Sequence, residues 1–374
     1  MLQKHFGLKI VVVMLSTILI FPVTQVKAAY RFANFRGRPP IHQFGGASDH
    51  PSGLTPAQTK AAYNLPTNGG RGTIALIGAY DDAAIEKDLN IFSKQFKLPA
   101  CTSKNGCFEK HIMSKTKHDA DWALETSLDV EWAHAIAPEA RILLVEAKTP
   151  SGINLLKAVD YARARPDVVA ISMSWGGAEF PDEANLDNHF KDSNGRITFF
   201  ASSGDNGTGV SWPAASPNVV AVGGTHLNFS KNGKLSSETA WAGSGGGVSA
   251  YEPEPLYQMN YSVTKANGHR AVPDVSYDAD PRSGFPVYRS SGKSKKNWYT
   301  VGGTSAGAPQ WAAIKALGLA ADNDRFYFDK ASGKDGYYFR DIRNGTNGDC
   351  GYFCHARRHY DYVTGLGSPL TVNF

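Results

Sequence analysis

The feature that most constrains the fold is an alternation of short apolar runs with amphipathic segments. Apolar runs of strand length alternate with stretches whose apolar residues recur at helical spacing. The predicted strands cover 73–78, 141–146, 168–173, 198–202 and 219–222, and the predicted helices cover 83–96, 121–137, 154–164 and 182–191. This order predicts an α/β fold in which helices cover both faces of a mostly parallel sheet.

A serine in the C-terminal half lies between a predicted strand and a predicted helix, a position at which catalytic residues can occur in such a fold. The segment 298–301 predicts a buried strand, and a helix is predicted at 306–319 after a glycine-bearing turn. Ser305 lies in that turn, where backbone N–H groups at a helix start are free to bind an oxyanion. Ser305 is therefore a candidate nucleophile, although a serine before a helix also commonly serves as its cap.

A nucleophilic serine needs a general base, and the sequence favours a carboxylate over histidine. No histidine we considered lies in a glycine-rich helix start of the His-Gly-Thr-His kind. Glu125 and Asp129 are four residues apart, so both lie on one face of the helix predicted at 121–137. The residues around them are largely apolar, and carboxylates on a buried helix usually have a function or a partner. Solvent exposure is the alternative.

Asp205 follows the strand predicted at 198–202, within the run Ser-Ser-Gly-Asp-Asn-Gly. A protonated aspartate can donate a hydrogen bond to a developing oxyanion, whereas an ionised one would repel it. An ordinary turn aspartate is the alternative interpretation. If both carboxylate roles hold, the enzyme should work best in acid, because Glu125 and Asp129 would titrate as a coupled pair.

The N terminus predicts export. Basic residues precede an apolar run at 10–21, and small residues near 28 offer a cleavage site, as in a secretory signal peptide. An uncleaved anchor is the alternative. We divide the chain into a signal peptide (1–28), an N-terminal arm (29–52) rich in Pro, Gly and Arg, and one large domain (53–374). The arm has no periodicity and is interpreted as a surface arm or linker.

Charge and cysteine usage narrow the function further. The formal net charge of +5 is modest and not clustered, so a nucleic-acid partner is not expected. No second long apolar run follows the first, and we expect no membrane association after cleavage and a monomer in solution. Two close cysteine pairs, Cys101 with Cys107 and Cys350 with Cys354, predict two small disulfide loops in an exported protein. Zinc binding is the weaker alternative.

Several of these motifs occur in an order that resembles one family. The run around Glu125 and Asp129 continues as EWAHAIAPEA; SSGDNG, GSGGGVS, VPDVSYDADPRSG, GGTSAGAPQW and DYVTGLG follow in turn. Together, from about residue 53 to 367, they resemble the sedolisins, the serine-carboxyl peptidases. The resemblance implies a subtilisin-like fold with Ser305 as nucleophile and Glu125 as general base and acid. It also implies that Asp129 orients Glu125 and that Asp205 stabilises the oxyanion.

The resemblance also implies a substrate cleft and a metal site. One cleft wall would contain Gly245, Gly246 and Gly247, and the other Ser174, Trp175 and Gly176. The family carries a structural Ca²⁺ near its C terminus, and the residues at the matching positions are Asp341, Ile342, Arg357, His359 and Asp361. Two family glycines in that set are replaced here by Arg357 and His359, positions that contribute backbone carbonyls. Most members also have a long N-terminal propeptide, whereas only the short arm precedes the domain here.

The sequence thus predicts a secreted endopeptidase that hydrolyses proteins or peptides in acid. An exopeptidase that releases tripeptides is an alternative, because the difference lies in what closes one end of the cleft. A catalytically silent peptide-binding relative is a second alternative, against which the complete set of four residues argues. A neutral subtilisin-type protease is disfavoured by the lack of a suitable histidine.

Overall fold

The computed structural model describes residues 32, 34–290, 296–320, 322–333 and 339–371. The predicted signal peptide lies outside the described residues. The strands are β1 (His42–Gln43), β2 (Thr73–Ala79), β3 (Phe108–Ile112), β4 (Arg141–Ala147), β5 (Val168–Met173), β6 (Gly177–Ala178), β7 (Thr198–Ser202), β8 (Ser211–Trp212), β9 (Val219–Phe229), β10 (Leu235–Ala240), β11 (Gly247–Pro253), β12 (His269–Val272), β13 (Val275–Asp278), β14 (Phe285–Tyr288), β15 (Trp298–Gly302), β16 (Phe339–Arg340) and β17 (Ser368–Pro369). The α-helices are α1 (Pro56–Tyr63), α2 (Ile85–Phe96), α3 (Ala120–Ile136), α4 (Gly152–Arg163), α5 (Leu256–Tyr261), α6 (Gly307–Ala316) and α7 (Asn323–Ala331).

A central sheet of eight strands organises the molecule. Its order is β10-β9-β7-β5-β2-β4-β3, and β13 pairs with residues 222–225 of β9. All of these pairings are parallel except that of β10 with β9. The carboxyl ends of β5 and β7 therefore meet at one edge of the sheet, which brings the residues after 173 and after 202 close together.

Helices cover both faces of this sheet, each over its own apolar core. Leu128, Trp132 and Trp311 from α3 and α6 belong to one buried cluster. Leu155 and Val159 from α4 belong to a second cluster on the other face. The predicted α/β architecture is confirmed.

Helix α3 forms where the sequence places a cap before a long apolar stretch. The Asp119 side chain accepts a hydrogen bond from the Trp122 N–H, which satisfies a free donor of the first turn. Nearly every later residue is buried, as in a helix that other elements enclose on all sides. Its carboxylates are consequently buried as well.

Three sequence interpretations change in detail. The segment 182–191 forms a 3₁₀ helix, Glu183–Phe190, and not an α-helix. The strand predicted at 219–222 continues to Phe229. The arm lies at the surface over residues 35–43, as predicted, but it is not an unpaired linker, because it pairs with three other segments across the carboxyl edge of the sheet.

Both predicted disulfides are present, Cys101–Cys107 and Cys350–Cys354. His134 lies beside the first, but the two sulfurs are bonded to each other and are not available to a metal. No helix within the described residues is both long enough and apolar enough to cross a bilayer.

Candidate active site

Ser305 lies at the strand-to-helix turn that the sequence predicts. It follows β15 in a short 3₁₀ helix, Thr304–Ala306, which leads directly into α6. Its side chain is fully buried, and its N–H donates to the carbonyl of Pro40, 3.3 Å away. A backbone N–H on a nucleophilic serine can donate to the oxygen of a tetrahedral intermediate, so this group is a candidate oxyanion donor.

Glu125 and Asp129 lie one turn apart on α3, which packs against α6 and the 3₁₀ helix of Ser305. Both carboxylates are buried, with exposures of 1% and 2%. The Ser174 hydroxyl donates to Asp129 Oδ1 at 2.7 Å and lies 3.2 Å from the Ser305 carbonyl. Ser174, predicted as a cleft wall, therefore joins Asp129 to the backbone of the candidate nucleophile.

Neither carboxyl oxygen of Glu125 has a hydrogen-bond partner of good geometry among the described residues, and neither does the Ser305 hydroxyl. Burial raises the pKa of Glu125 well above its ordinary value, the Asp129 charge adds to the rise, and the nearby Ser305 hydroxyl opposes it. Burial likewise raises the pKa of Asp129, and the hydrogen bond from Ser174 and the nearby Glu125 carboxyl oppose the rise. The pair therefore keeps a proton more readily than two exposed carboxyls would, and the solvent-exposed alternative for these residues is excluded.

Asp205 reaches the same site from the carboxyl end of β7. Its Oδ1 accepts hydrogen bonds from the N–H of Thr304 at 2.8 Å and from its hydroxyl at 2.7 Å. Burial raises the pKa of Asp205, while hydrogen bonds from His42 and Thr304 oppose the rise. Gly303 is required beside it, because a Cβ there would collide with Asp205 Oδ2 and with the Pro40 carbonyl oxygen.

Two residues that contact Asp205 were not among the predicted site residues. Thr304 bonds to Asp205 and also accepts from the Gly204 N–H at 3.1 Å, so it ties the two loops together. His42, in the arm, places Nε2 3.2 Å from Asp205 Oδ2. Its hydrogen bond to Asp205 raises the pKa of His42, and partial burial opposes the rise. The adjacency of Thr304 to Ser305 was a usable signal, whereas nothing in the aperiodic arm pointed to His42.

The predicted cleft walls differ in their contacts. Gly176 pairs with the arm through two backbone hydrogen bonds to Arg38. The Trp175 side chain is fully buried and packs beside Trp212, and its contact with a substrate stays a prediction.

The glycine segment 245–247 packs mainly against other backbone, where its residues allow close approach. A Cβ on Gly245 would collide with the Ser203 carbonyl, and one on Gly246 with that of Tyr362. Gly245 also contributes to the wall of a cavity of about 460 Å³ that holds Ser203, Asp205 and His42. Its contact with a substrate stays a prediction.

The predicted calcium residues meet near the C terminus. Asp361 is 1% exposed, and its carboxylate accepts from the N–H groups of Arg357, Val363 and Thr364. No arginine or lysine side chain pairs with it within the described parts of the chain. Asp341 accepts from the His359 N–H at 3.0 Å.

This donor set fits a hard cation, because a buried carboxylate without a cationic partner, a second carboxylate and loop carbonyls are what Ca²⁺ prefers. His359 has φ 68°, in the left-handed region that favours glycine. Arg343 competes with an ion, since its Nε lies 2.9 Å from Asp341 Oδ2.

Several buried carboxyls have raised pKa values, so we expect the fold to be more stable in weak acid than at neutral pH. Burial raises the pKa of Glu252 to about 8 and that of Glu146 to about 7. For such groups the folded state binds more protons than the unfolded state, so stability falls as pH rises from the ordinary carboxyl pKa toward the raised one. The slope is about 1.4 kcal/mol per pH unit for each group in that window.

We therefore expect the midpoint of thermal unfolding of the Ser305→Ala chain to be higher near pH 4.5 than near pH 7. Carboxylates whose pKa is lowered, such as Asp192 and Asp280, lose their contribution only at more acidic pH. Glu252→Gln, which cannot ionise, should show a flatter pH dependence. A midpoint that rises from pH 4.5 to 7 would show that these carboxyls are not protonated in the folded state.

Comparisons with known proteins decide the family. The family model described as the subtilase family matches residues 112–334, more than half of the chain. The chain belongs to the subtilase family. Within it, the subtilase resembles sedolisin from Pseudomonas sp. (strain 101), 30% identical over 66% of this chain, and kumamolisin from Bacillus sp. (strain MN-32), 31% identical over 86% of it. These matches cover 47% and 63% of the two relatives' own lengths.

A solved structure agrees. The structure of Pseudomonas sedolisin, described as a serine-carboxyl proteinase, superposes with a TM-score of 0.72 at 27% identity and covers 87% of this chain and 96% of that one. The prediction of a sedolisin-type member of the subtilisin-like fold is confirmed. The roles of individual site residues stay predictions that the geometry above makes specific.

Proposed function

We propose that the chain is a secreted serine-carboxyl endopeptidase that hydrolyses proteins or peptides in acid. The observation that carries this proposal is the meeting of Ser305 with two buried carboxyls, Glu125 and Asp129, with the Ser305 N–H and Asp205 as candidate oxyanion donors beside them. Two disulfides support an oxidising compartment, and we expect a monomer without nucleic-acid or membrane partners.

In the proposed reaction the same groups act first in acylation of Ser305 and then in deacylation. Ser305 Oγ attacks the peptide carbonyl carbon while its proton passes to Glu125, which Asp129 holds by sharing the pair's remaining proton. The Ser305 N–H and protonated Asp205 donate to the oxyanion. Glu125 then gives its proton to the departing amine, which leaves an ester on Ser305. Water attacks that ester and passes a proton to Glu125, which returns the proton to Ser305 Oγ as the ester C–O bond breaks and the new carboxyl group is released.

The path of the arm supports endopeptidase action. From Arg38, which pairs with Gly176, the arm continues outward with Gly37 N–H donating to the Pro150 carbonyl at 2.8 Å. Gly152 N–H donates in turn to the Phe35 carbonyl at 3.0 Å. The Pro40 carbonyl meets the Ser305 N–H, so a substrate that follows the path of the arm would be cut at the position of the Pro40–Ile41 bond. Arg38 is the third residue before that bond, and the arm continues at least three residues beyond it among the described residues. A tripeptide-releasing enzyme would need a wall that stops the peptide at the position of Arg38.

Product length tests this choice. We expect internal fragments from denatured protein at about pH 4, identified by mass spectrometry, and none from Ser305→Ala. A ladder of tripeptides from the N terminus would instead establish the exopeptidase alternative, which similarity to tripeptidyl-peptidase sed5 of Aspergillus fumigatus keeps worth testing (30% identity over 42% of this chain). Binding of peptides without any cleavage would favour the silent relative.

We also propose one structural Ca²⁺ held by the carboxylates of Asp341 and Asp361 and by the carbonyls of Ile342, Arg357 and His359. The ion would neutralise a buried charge and fix the C-terminal loop; it takes no part in the reaction. Removing calcium from the Ser305→Ala chain with a chelator should lower its thermal midpoint by several degrees, and added Ca²⁺ should restore it. Asp341→Asn should lose this response. An unchanged midpoint in both chains would mean that Arg343 has replaced the ion.

A further inference from the structure

Three side chains of metal-binding types meet at the C-terminal end of helix α3. The sulfurs of Cys101 and Cys107 and one ring nitrogen of His134 all lie within 4.8 Å of one another. Zinc holds cysteine sulfur at about 2.3 Å and histidine nitrogen at about 2.0 Å, so the ligand atoms of a tetrahedral zinc site lie roughly 3.5 to 3.8 Å apart. Small movements of these three side chains would therefore let them share one ion.

The histidine of this group is held with one ring nitrogen free. His134 is fully buried, and its Nε2 lies 2.9 Å from the Pro99 carbonyl oxygen. A carbonyl only accepts, so Nε2 carries the proton and Nδ1 of the neutral ring keeps its lone pair. Nδ1 has no hydrogen-bond partner among the described residues. Metal-binding histidines almost always donate their other ring N–H to such an acceptor, which fixes the tautomer.

The two sulfurs become available only when the disulfide is reduced, because they are bonded to each other in the oxidised chain. Cys101 is fully buried, whereas Cys107 is partly exposed at the end of an exposed turn. A dithiol can therefore attack the Cys107 sulfur, and Cys101 leaves as a thiolate. The second thiol of the dithiol then displaces Cys107. Two electrons pass to the cysteine pair, and the dithiol ends as a cyclic disulfide.

We propose that the chain, once reduced by a dithiol, binds one Zn²⁺ between the thiolates of Cys101 and Cys107 and Nδ1 of His134, with water in the fourth position. Each thiol releases its proton when the ion binds, so binding is strong near neutral pH and weak in acid. The disulfide closes the loop 101–107 on itself, whereas the ion would tie this loop to helix α3. This site takes no part in the proposed peptidase reaction.

The second cysteine pair offers a matched control. Among the residues that the structure describes, no histidine or carboxylate completes a comparable group of three with Cys350 and Cys354. Reduction therefore gives two thiols at each pair but a three-ligand site at only one of them. Loss of metal binding on removal of one pair, and not of the other, distinguishes the proposed site from general binding of metal by thiols.

The test uses the full chain carrying Ser305→Ala, so that proteolysis plays no part. One variant also carries Cys350→Ser and Cys354→Ser and keeps the proposed site; the other carries Cys101→Ser and Cys107→Ser and keeps the second pair. Each folded variant is reduced with a dithiol, freed of it under inert gas and assayed for two thiols. Each is then titrated with Co²⁺ near neutral pH, because Co²⁺ in a tetrahedral thiolate site absorbs visible light strongly.

We expect the first variant to bind one Co²⁺ after reduction and none before it, and the second variant to show no such absorption. Zn²⁺ should displace Co²⁺ and raise the thermal midpoint of the reduced first variant. Adding His134→Ala to that variant should weaken Co²⁺ binding at least about tenfold. If His134→Ala fails to fold, His134→Gln carries the comparison, because its amide can still donate to Pro99 but lacks the imidazole nitrogen.

Three results would overturn the site. They are a disulfide that stays intact in the folded first variant, cobalt absorption that is equal or absent in both cysteine variants, and an unchanged affinity after replacement of His134. Each measurement follows absorption, thiol content or unfolding and not hydrolysis. A negative result therefore leaves the proposed peptidase in place, and an inactive peptidase would leave this site in place.

Discussion

Replacing Ser305 by alanine is expected to lower kcat/KM for peptide hydrolysis by about 10⁴-fold or more, because the proposed acyl-enzyme forms on its hydroxyl. Folding should be unaffected, since the Ser305 hydroxyl has no well-formed hydrogen bond to lose.

Ser276→Ala is the matched control. Ser276 is also fully buried, and its hydroxyl likewise lacks a hydrogen-bond partner among the described residues. It should retain nearly full activity. If Ser305→Ala keeps more than a tenth of the activity, Ser305 is a structural residue of the helix start and the nucleophile lies elsewhere.

Replacing Asp205 should change both the rate and its pH dependence. Asp205→Ala removes an oxyanion donor and is expected to lower kcat by about 10²- to 10³-fold. Asp205→Asn keeps a donor, so its loss in acid should be smaller.

The pH dependence follows from the sign of the pKa shift. Only protonated Asp205 can donate, and burial raises its pKa, so activity should persist above the ordinary aspartate range and fall as pH rises through the raised value. An asparagine does not titrate, and the high-pH limb of kcat/KM should therefore move upward in Asp205→Asn. Rates measured from about pH 3 to 8 decide this: an unchanged limb in Asp205→Asn, with a small effect of Asp205→Ala, would remove Asp205 from the oxyanion site.

The parts of this site that could be predicted from sequence are those encoded locally. The pair Glu125 and Asp129 was found because the two carboxylates lie four residues apart on a predicted helix whose neighbouring residues are largely apolar. Ser305 was found because a strand, a glycine turn and a helix follow one another in eleven or so residues, a pattern that fixes the direction of the intervening side chain. Both inferences need only helix and strand periodicity.

The parts that could not be predicted depend on pairing between distant segments. The arm joins β15 through a strand of two residues, about 260 positions away in the chain, and such a strand has no hydrophobic pattern of its own. The direction of the Trp175 side chain, which packs beside Trp212, could not be predicted for a related reason, because it depends on contacts between distant segments.

The central claim is that Ser305 forms an ester with the substrate while a carboxyl pair handles the proton. The most direct measurement is to incubate the chain with an activated peptide ester near pH 4, quench it in stronger acid and map the added mass by peptide mass spectrometry. The account predicts one acyl group on Ser305, absent from Ser305→Ala and strongly reduced in Glu125→Gln. Rapid hydrolysis of the ester with no acyl group on Ser305, or with the group on another residue, would contradict it.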